Sequence, residues 1–207
     1  MSFQESLAAT GPSAEAPLLV ALRGTADWTA VAGWLKLQAE RGRPASWLGV
    51  GPSEAPPPLP GALFRDADAW QEAVHYGEPL IAALQAAIMK HRADLVLAPS
   101  PTEPDPARRA LSMACIEAVK RLGAPLRLAL YEWSMPGRPG VVVDISAAWT
   151  WKQQLLADAG AEGRALLALN RFRGQQARPP VDAAEAFELV DAVDLAAGRS
   201  ALFDSSY

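Results

Sequence analysis

Two short segments hold the side chains best suited to chemistry. One reads Arg23-Gly-Thr-Ala-Asp27, the other Glu103-Pro-Asp-Pro-Ala-Arg108-Arg109. Their useful groups are guanidiniums and carboxylates. An arginine presents a planar fork of N–H donors that grips a carboxylate or phosphate through two hydrogen bonds. The two segments therefore either bind an anion through Arg23 and Arg108, or pair those arginines internally with Asp27, Glu103 or Asp105. Asp27 has a further use as a helix N-cap. Metal chemistry finds little support. A protein zinc site draws three or four ligands, mostly His and Cys. This chain has two histidines, His75 and His91, and one cysteine, Cys115, and they are not at ligand spacing. Cys115 sits in a helical pattern with Leu111 and Ile116 and reads as a buried apolar residue. Alone, it also excludes an internal disulfide.

The elements that position these segments can be read from periodicity. Pro17-Leu-Leu-Val-Ala-Leu22 is a short apolar run, predicted as a buried strand. Asp27 to Glu40 has Val31, Trp34, Leu35 and Ala39 near helical period, with Gly42 as its stop. Ser46-Trp-Leu-Gly-Val50 reads as a second strand. Gly51 to Gly61 holds five prolines and must be an extended connection. Helices are expected over 66–74 and 78–92, a strand over 94–98, and a long helix over 104–122 that opens on a proline. Strands over 126–133 and 141–145 follow, then helices over 147–159 and 162–173. A helix-like segment at 182–187 leads into 188–193. This order implies an α/β fold, a Rossmann-like three-layer sandwich with a mostly parallel sheet. Ligands of such sheets sit beyond the carboxyl ends of the strands. The segments after the first strand and after the 94–98 strand should converge there.

Composition bounds the rest. The 207 residues suit one domain, read as 17–195 between tails over 1–16 and 196–207. Half the residues are hydrophobic and 20% are charged, an ordinary globular balance. Gly and Pro supply 33 residues, enough for long or stiff loops. The net charge of −4 argues against nucleic acid, which calls for a basic face. No run is apolar and long enough for a membrane span, and no leader pattern follows Met1, so a cytoplasmic location is expected. Of the seven Trp residues, Trp34 and Trp47 fall on core-facing positions. Trp133, Trp149 and Trp151 lie near candidate loops, where packing is favoured over sugar stacking. Lys152 and Asp144 read as structural pairing residues.

Several segments together resemble the PIG-L/LmbE-like zinc-dependent N-deacetylase family. They are Leu95-Val-Leu-Ala-Pro-Ser100, Glu103 to Ala110, Tyr131-Glu-Trp133, Val142-Val-Asp-Ile145, Lys152 with Leu156, Leu169-Asn-Arg-Phe-Arg-Gly174 and Ala184-Glu-Ala-Phe187. The resemblance runs from about Pro17 to Val193 and is strongest in the second half. It implies a Rossmann-like fold and, for the family, zinc-assisted hydrolysis of an acetamide on an amino sugar. It also places the family's site. The motif His-Pro-Asp-Asp-Glu falls on Arg23 to Asp27, so that Arg23 replaces a metal-binding His, Thr25 the general base and Ala26 a metal-binding Asp. The second motif, Glu-x-His-Pro-Asp-His-Arg, falls on Glu103 to Arg109, with Arg108 in place of a zinc-binding His. Arginine has no free lone pair for zinc, threonine is no base near neutral pH, and alanine offers no ligand. Zinc, expected for the family, thus loses its ligands here.

Three readings follow from these residues. The leading one is a catalytically inactive homologue that acts as a binding or partner subunit, of an active deacetylase or of another enzyme in the same sugar pathway. The alternative is an active N-deacetylase with a rebuilt site. The third is a sensor that keeps a sugar pocket, with Arg23 and Arg108 favouring an anionic sugar.

Overall fold

A computed structural model describes residues 16–23, 26–52, 60–123, 125–137 and 139–199. Thr25, most of the proline-rich connection and most of both expected tails lie outside the described residues. Seven strands form one sheet: β1 (Pro17–Leu22), β2 (Ala45–Val50), β3 (Phe64–Trp70), β4 (Leu95–Pro99), β5 (Arg127–Tyr131), β6 (Val141–Asp144) and β7 (Ala184–Asp191), in the spatial order β3-β2-β1-β4-β5-β7-β6. The first five are mutually parallel. β7 runs antiparallel to both β5 and β6. The helices are α1 (Ala32–Glu40), α2 (Glu78–His91), α3 (Pro106–Leu122), α4 (Ser146–Leu155), α5 (Gly160–Gln176) and the short α6 (Ala192–Ala196).

Alternate strand residues face opposite layers. Leu18, Val20, Val96 and Leu128 form one core with α2, α3 and α6. Leu19, Ala21, Leu97 and Tyr131 form the other with Trp28, Trp34, Leu35 and Leu166. Both faces of the central strands are covered, which is why β1, β4 and β5 read as nearly unbroken apolar runs. Cys115 is fully buried among the first set, as its pattern predicted. Burial pushes its thiol well above the usual range, so it is not a nucleophile at neutral pH. No helix among the described residues is long and apolar enough to cross a membrane.

Three expectations need correction. The helix expected over 66–74 is the strand β3, whose described pairing is with β2, from Ser46↔Asp66 to Val50↔Trp70. Ala and Asp have no strong strand preference, and the open edge of β2 decides the matter. The helix-like segment at 182–187 lies mostly within β7, where it fills the gap between β5 and β6. The single helix expected from Asp27 begins as a 3-10 turn (Asp27–Val31) and becomes α1 at Ala32. Asp27 is not its cap. The carbonyl of Ala26 accepts from the Thr29 N–H and hydroxyl at 2.8 and 2.7 Å.

The outer edge is fastened by charge. Lys90 Nζ donates to both Asp68 oxygens at 2.6 and 2.8 Å, and His91 Nε2 lies 2.6 Å from Asp68 Oδ2. The Lys90 hydrogen bond, with His91 adding to it, holds the Asp68 carboxyl below its ordinary range against a smaller opposing effect of burial. A lowered carboxylate contributes stability above its unfolded value, near pH 4. That contribution is lost as pH falls through the lower folded value. Asp68→Asn is expected to cost at most about 1 kcal/mol at pH 7, the pair being solvent-screened, and to flatten the fall in stability below about pH 4. Urea melts at pH 7 and pH 3 measure both; an unchanged acid slope would place the titrating group elsewhere.

Candidate functional site at the carboxyl ends of the strands

The two predicted segments meet where β1 and β4 end. Asp27 is fully buried. Its Oδ2 accepts from Arg108 Nε at 3.1 Å and its Oδ1 from Arg108 Nη2 at 2.8 Å. This is the two-bond fork that arginine makes with a carboxylate. The guanidinium also lies over Trp133, 4.9 Å from the ring centroid. Burial opposes the charge on Arg108. The Asp27 carboxylate, with Asp105 and Glu103 behind it, outweighs burial and holds the proton more tightly. The anion that Arg108 grips is thus supplied by the chain.

The neighbouring acids are also committed. Asp105 caps α3, accepting the Arg108 backbone N–H at 2.8 Å, in the manner of a helix N-cap. Glu103, fully buried, accepts from the Trp133 N–H at 2.8 Å and from the Ser134 hydroxyl at 2.6 Å. It ties the chain after β5 to the chain after β4. Tyr131 is buried beneath, its hydroxyl donating to the Val20 carbonyl at 3.3 Å. Burial, then the negative field of Asp27, pushes that phenol further from ionising.

Arg23 is placed differently. Its backbone N–H extends the β1–β2 ladder by donating to Val50 O at 2.8 Å. Its side chain lies against the sheet face at Gly49. A Cβ at Gly49 would stand 2.6 Å from Arg23 Cγ and 2.4 Å from Trp47 Cη2. Only glycine leaves that space. Among the described residues, Arg23 Nε and Nη1 are buried without a hydrogen-bond partner, and so is Trp47 Nε1. Ala26 is exposed.

Two further buried ion pairs brace the layer around the site. Lys152 Nζ donates to Glu185 Oε1 at 2.6 Å and to the Ala30 carbonyl at 3.0 Å. Glu185 also accepts from the backbone N–H groups of Gly33 and Trp34, each at 2.8 Å. Burial lowers the affinity of Lys152 for its proton, with Glu185 acting against it. Glu132 pairs with Arg173 through two hydrogen bonds, and Arg173 adds the Gly137 carbonyl at 2.9 Å. The pairing role read for Lys152 is what the structure contains; Asp144 Oδ1 accepts the Ser146 N–H at 2.8 Å, a turn contact at the exposed start of α4. The partners Glu185 and Glu132 were not singled out from the sequence. Their only signal is a lone acid inside an apolar stretch, Ala184-Glu-Ala and Tyr131-Glu-Trp.

The donor set does not fit zinc. Among the described residues no three His, Cys, Asp or Glu side chains are grouped to hold a metal ion. Both oxygens of Asp27 and both of Glu103 are engaged. His75 is exposed in the connection before α2. His91 closes α2 and contacts Asp68 of β3, just before the chain enters the amino end of β4. A shallow opening beside Glu132, lined by Ser100, Leu130, Gly137, Pro139 and Glu188, has room for about one water molecule, far less than a small-molecule pocket.

No protein-family model and no curated protein matches the sequence. Solved structures do match in fold. A conserved protein from Thermus thermophilus superposes with a TM-score of 0.70 at 22% identity, over 83% of this chain and 93% of its own. An N,N'-diacetylchitobiose deacetylase from Pyrococcus horikoshii gives 0.69 at 15% identity, over 94% and 95%. A 4-carboxy-2-hydroxymuconate hydratase from Pseudomonas putida gives 0.67 at 17% identity, over 85% and 96%. The chain therefore has an α/β fold of the kind found in these deacetylase and hydratase structures.

Proposed function

We propose that the chain is a catalytically inactive relative of the zinc-dependent N-deacetylases whose motifs it resembles. It works in the cytoplasm as a binding or partner subunit of amino-sugar or glycan metabolism. The observation that carries this reading is the Asp27–Arg108 pair. At the place matched to a zinc-binding histidine stands a guanidinium, already bound to a buried carboxylate of the chain. A zinc hydrolase needs an open coordination position for water and a free base to take the water's proton. Asp27 and Glu103 are already engaged by donors of the chain, and Arg23 and Arg108 bring positive charge to the place of a dication. The fold shared with a diacetylchitobiose deacetylase supports an origin in acetamido-sugar chemistry. A partner is then an active deacetylase or another enzyme of the same sugar pathway.

The test is metal content and turnover on the purified chain. After dialysis against a weak chelator, elemental analysis is expected to find far less than one zinc per chain. No acetate should be released from N-acetylglucosamine or diacetylchitobiose. Retention of about one zinc per chain, together with chelator-sensitive acetate release, would establish the alternative of an active N-deacetylase with a rebuilt site.

A further inference from the structure

We propose that Arg23 and Trp47 form a binding site for an oxyanion, a carboxylate or phosphate carried by a small ligand, at the carboxyl ends of β1 and β2. The inference deepens the binding role proposed above by naming the ligand chemistry. It starts from three buried donors: among the described residues, Arg23 Nε, Arg23 Nη1 and Trp47 Nε1 all lack a hydrogen-bond partner. Trp47 is only 2% exposed. Neither side chain has an acceptor atom, since guanidinium and indole nitrogens only donate. The two side chains also meet. Arg23 Cγ, Trp47 Cζ2 and Trp47 Cη2 all lie within 2.6 Å of the point where a Cβ at Gly49 would stand. Buried polar groups in native proteins are paired almost without exception; Arg23 itself is half-buried.

The acids of the two segments are directed elsewhere. Asp27 faces Arg108, Asp105 caps α3, and Glu103 holds the chain at Trp133 and Ser134. What remains is a set of donor-only nitrogens on and beside a positively charged side chain. A group of several acceptor oxygens and negative charge satisfies it; a neutral acetamide, with one carbonyl and no charge, satisfies less of it. Arg108, the other arginine expected to bind an anion, is not a member of this site. Its role is to neutralise Asp27, so that the carboxylate does not repel an anion at Arg23.

The experiment is calorimetric titration of the intact chain with inorganic phosphate, with glucuronate and with uncharged N-acetylglucosamine. Saturable one-to-one binding of phosphate or glucuronate is expected, whichever is tighter naming the oxyanion, and none of N-acetylglucosamine up to about 10 mM. Arg23→Gln should weaken it about ten-fold or more, and Trp47→Phe about three-fold or more. Arg164→Gln, the same charge change at an exposed helical position, should leave it unaltered. Arg23→Lys keeps the charge but loses the fork, and should fall between. In anion-free buffer Arg23→Gln should melt no lower than the parent, because it removes unpaired donors. Absence of saturable anion binding, binding indifferent to Arg23→Gln, or a marked fall in the melting temperature of that variant would each overturn the site. None of these readings depends on zinc or on turnover, so the site can fail or stand separately from the inactive-homologue reading.

Discussion

Glu185→Ala is expected to destabilise the chain by about 3–5 kcal/mol, the range for removing one partner of a buried ion pair. The change strands the Lys152 ammonium, which is wholly buried, and leaves the N–H groups of Gly33 and Trp34 without their acceptor. Lys152→Met should cost less. It leaves Glu185 with its two backbone donors and adds a side chain of similar length and apolar character. The double variant Lys152→Met with Glu185→Leu should cost clearly less than the sum of the two single changes, because the stranded charge is gone. Urea melts of the four proteins measure the coupling. Additive effects, or a Lys152→Met cost above that of Glu185→Ala, would mean that Lys152 and Glu185 are not a unit.

Arg108→Ala is the second large effect. It removes both hydrogen bonds to a fully buried carboxylate and the guanidinium over Trp133. A loss of about 3–5 kcal/mol is expected, with Arg108→Lys recovering only part of it, since an ammonium cannot reproduce the fork. Asp27→Asn combined with Arg108→Met should be milder than Arg108→Ala, because no unpaired charge remains. These are stability readouts in a protein that is expected to have no turnover to lose. A protein in which Arg108→Ala melts like the parent would have an Arg108 free to serve a ligand.

The sequence made the central layer legible because central strands covered on both faces must be apolar along their whole length. Leu18 to Leu22 and Leu95 to Ala98 can hardly be anything else. It also brought the right two segments together, since loops after neighbouring parallel strands share one end of a sheet. It did not say which of the possible acids Arg108 would choose. Asp27, Glu103 and Asp105 are equivalent on paper, and only the turn from Asp27 to Val31 turns the first of them toward α3. The edges were the hard part. Phe64–Trp70 and Ala184–Asp191 carry Ala, Asp and Glu, which local preference disfavours in strands. Both are strands because a neighbouring strand offers unpaired backbone groups, a fact held elsewhere in the chain. The unpartnered nitrogens of Arg23 and Trp47 depend on side-chain packing around Gly49, which has no trace in residue spacing.

The Glu185 contacts also set an order of events during synthesis. The start of α1 depends on a carboxylate that lies 152 residues downstream of Gly33. At bacterial-to-eukaryotic elongation rates of about 5–20 residues per second, the ribosome delivers it roughly 8–30 s later. Until β7 emerges, β5 keeps an open edge and β6, whose described pairing is to β7 alone, has no place in the sheet. The nascent protein thus carries a half-finished sheet until β7 is made, and a chain cut short before Ala184 leaves that edge open for good. Loss of the chain from Ala184 onward would then be read by the cell as an aggregation problem first, and as a missing function only afterwards.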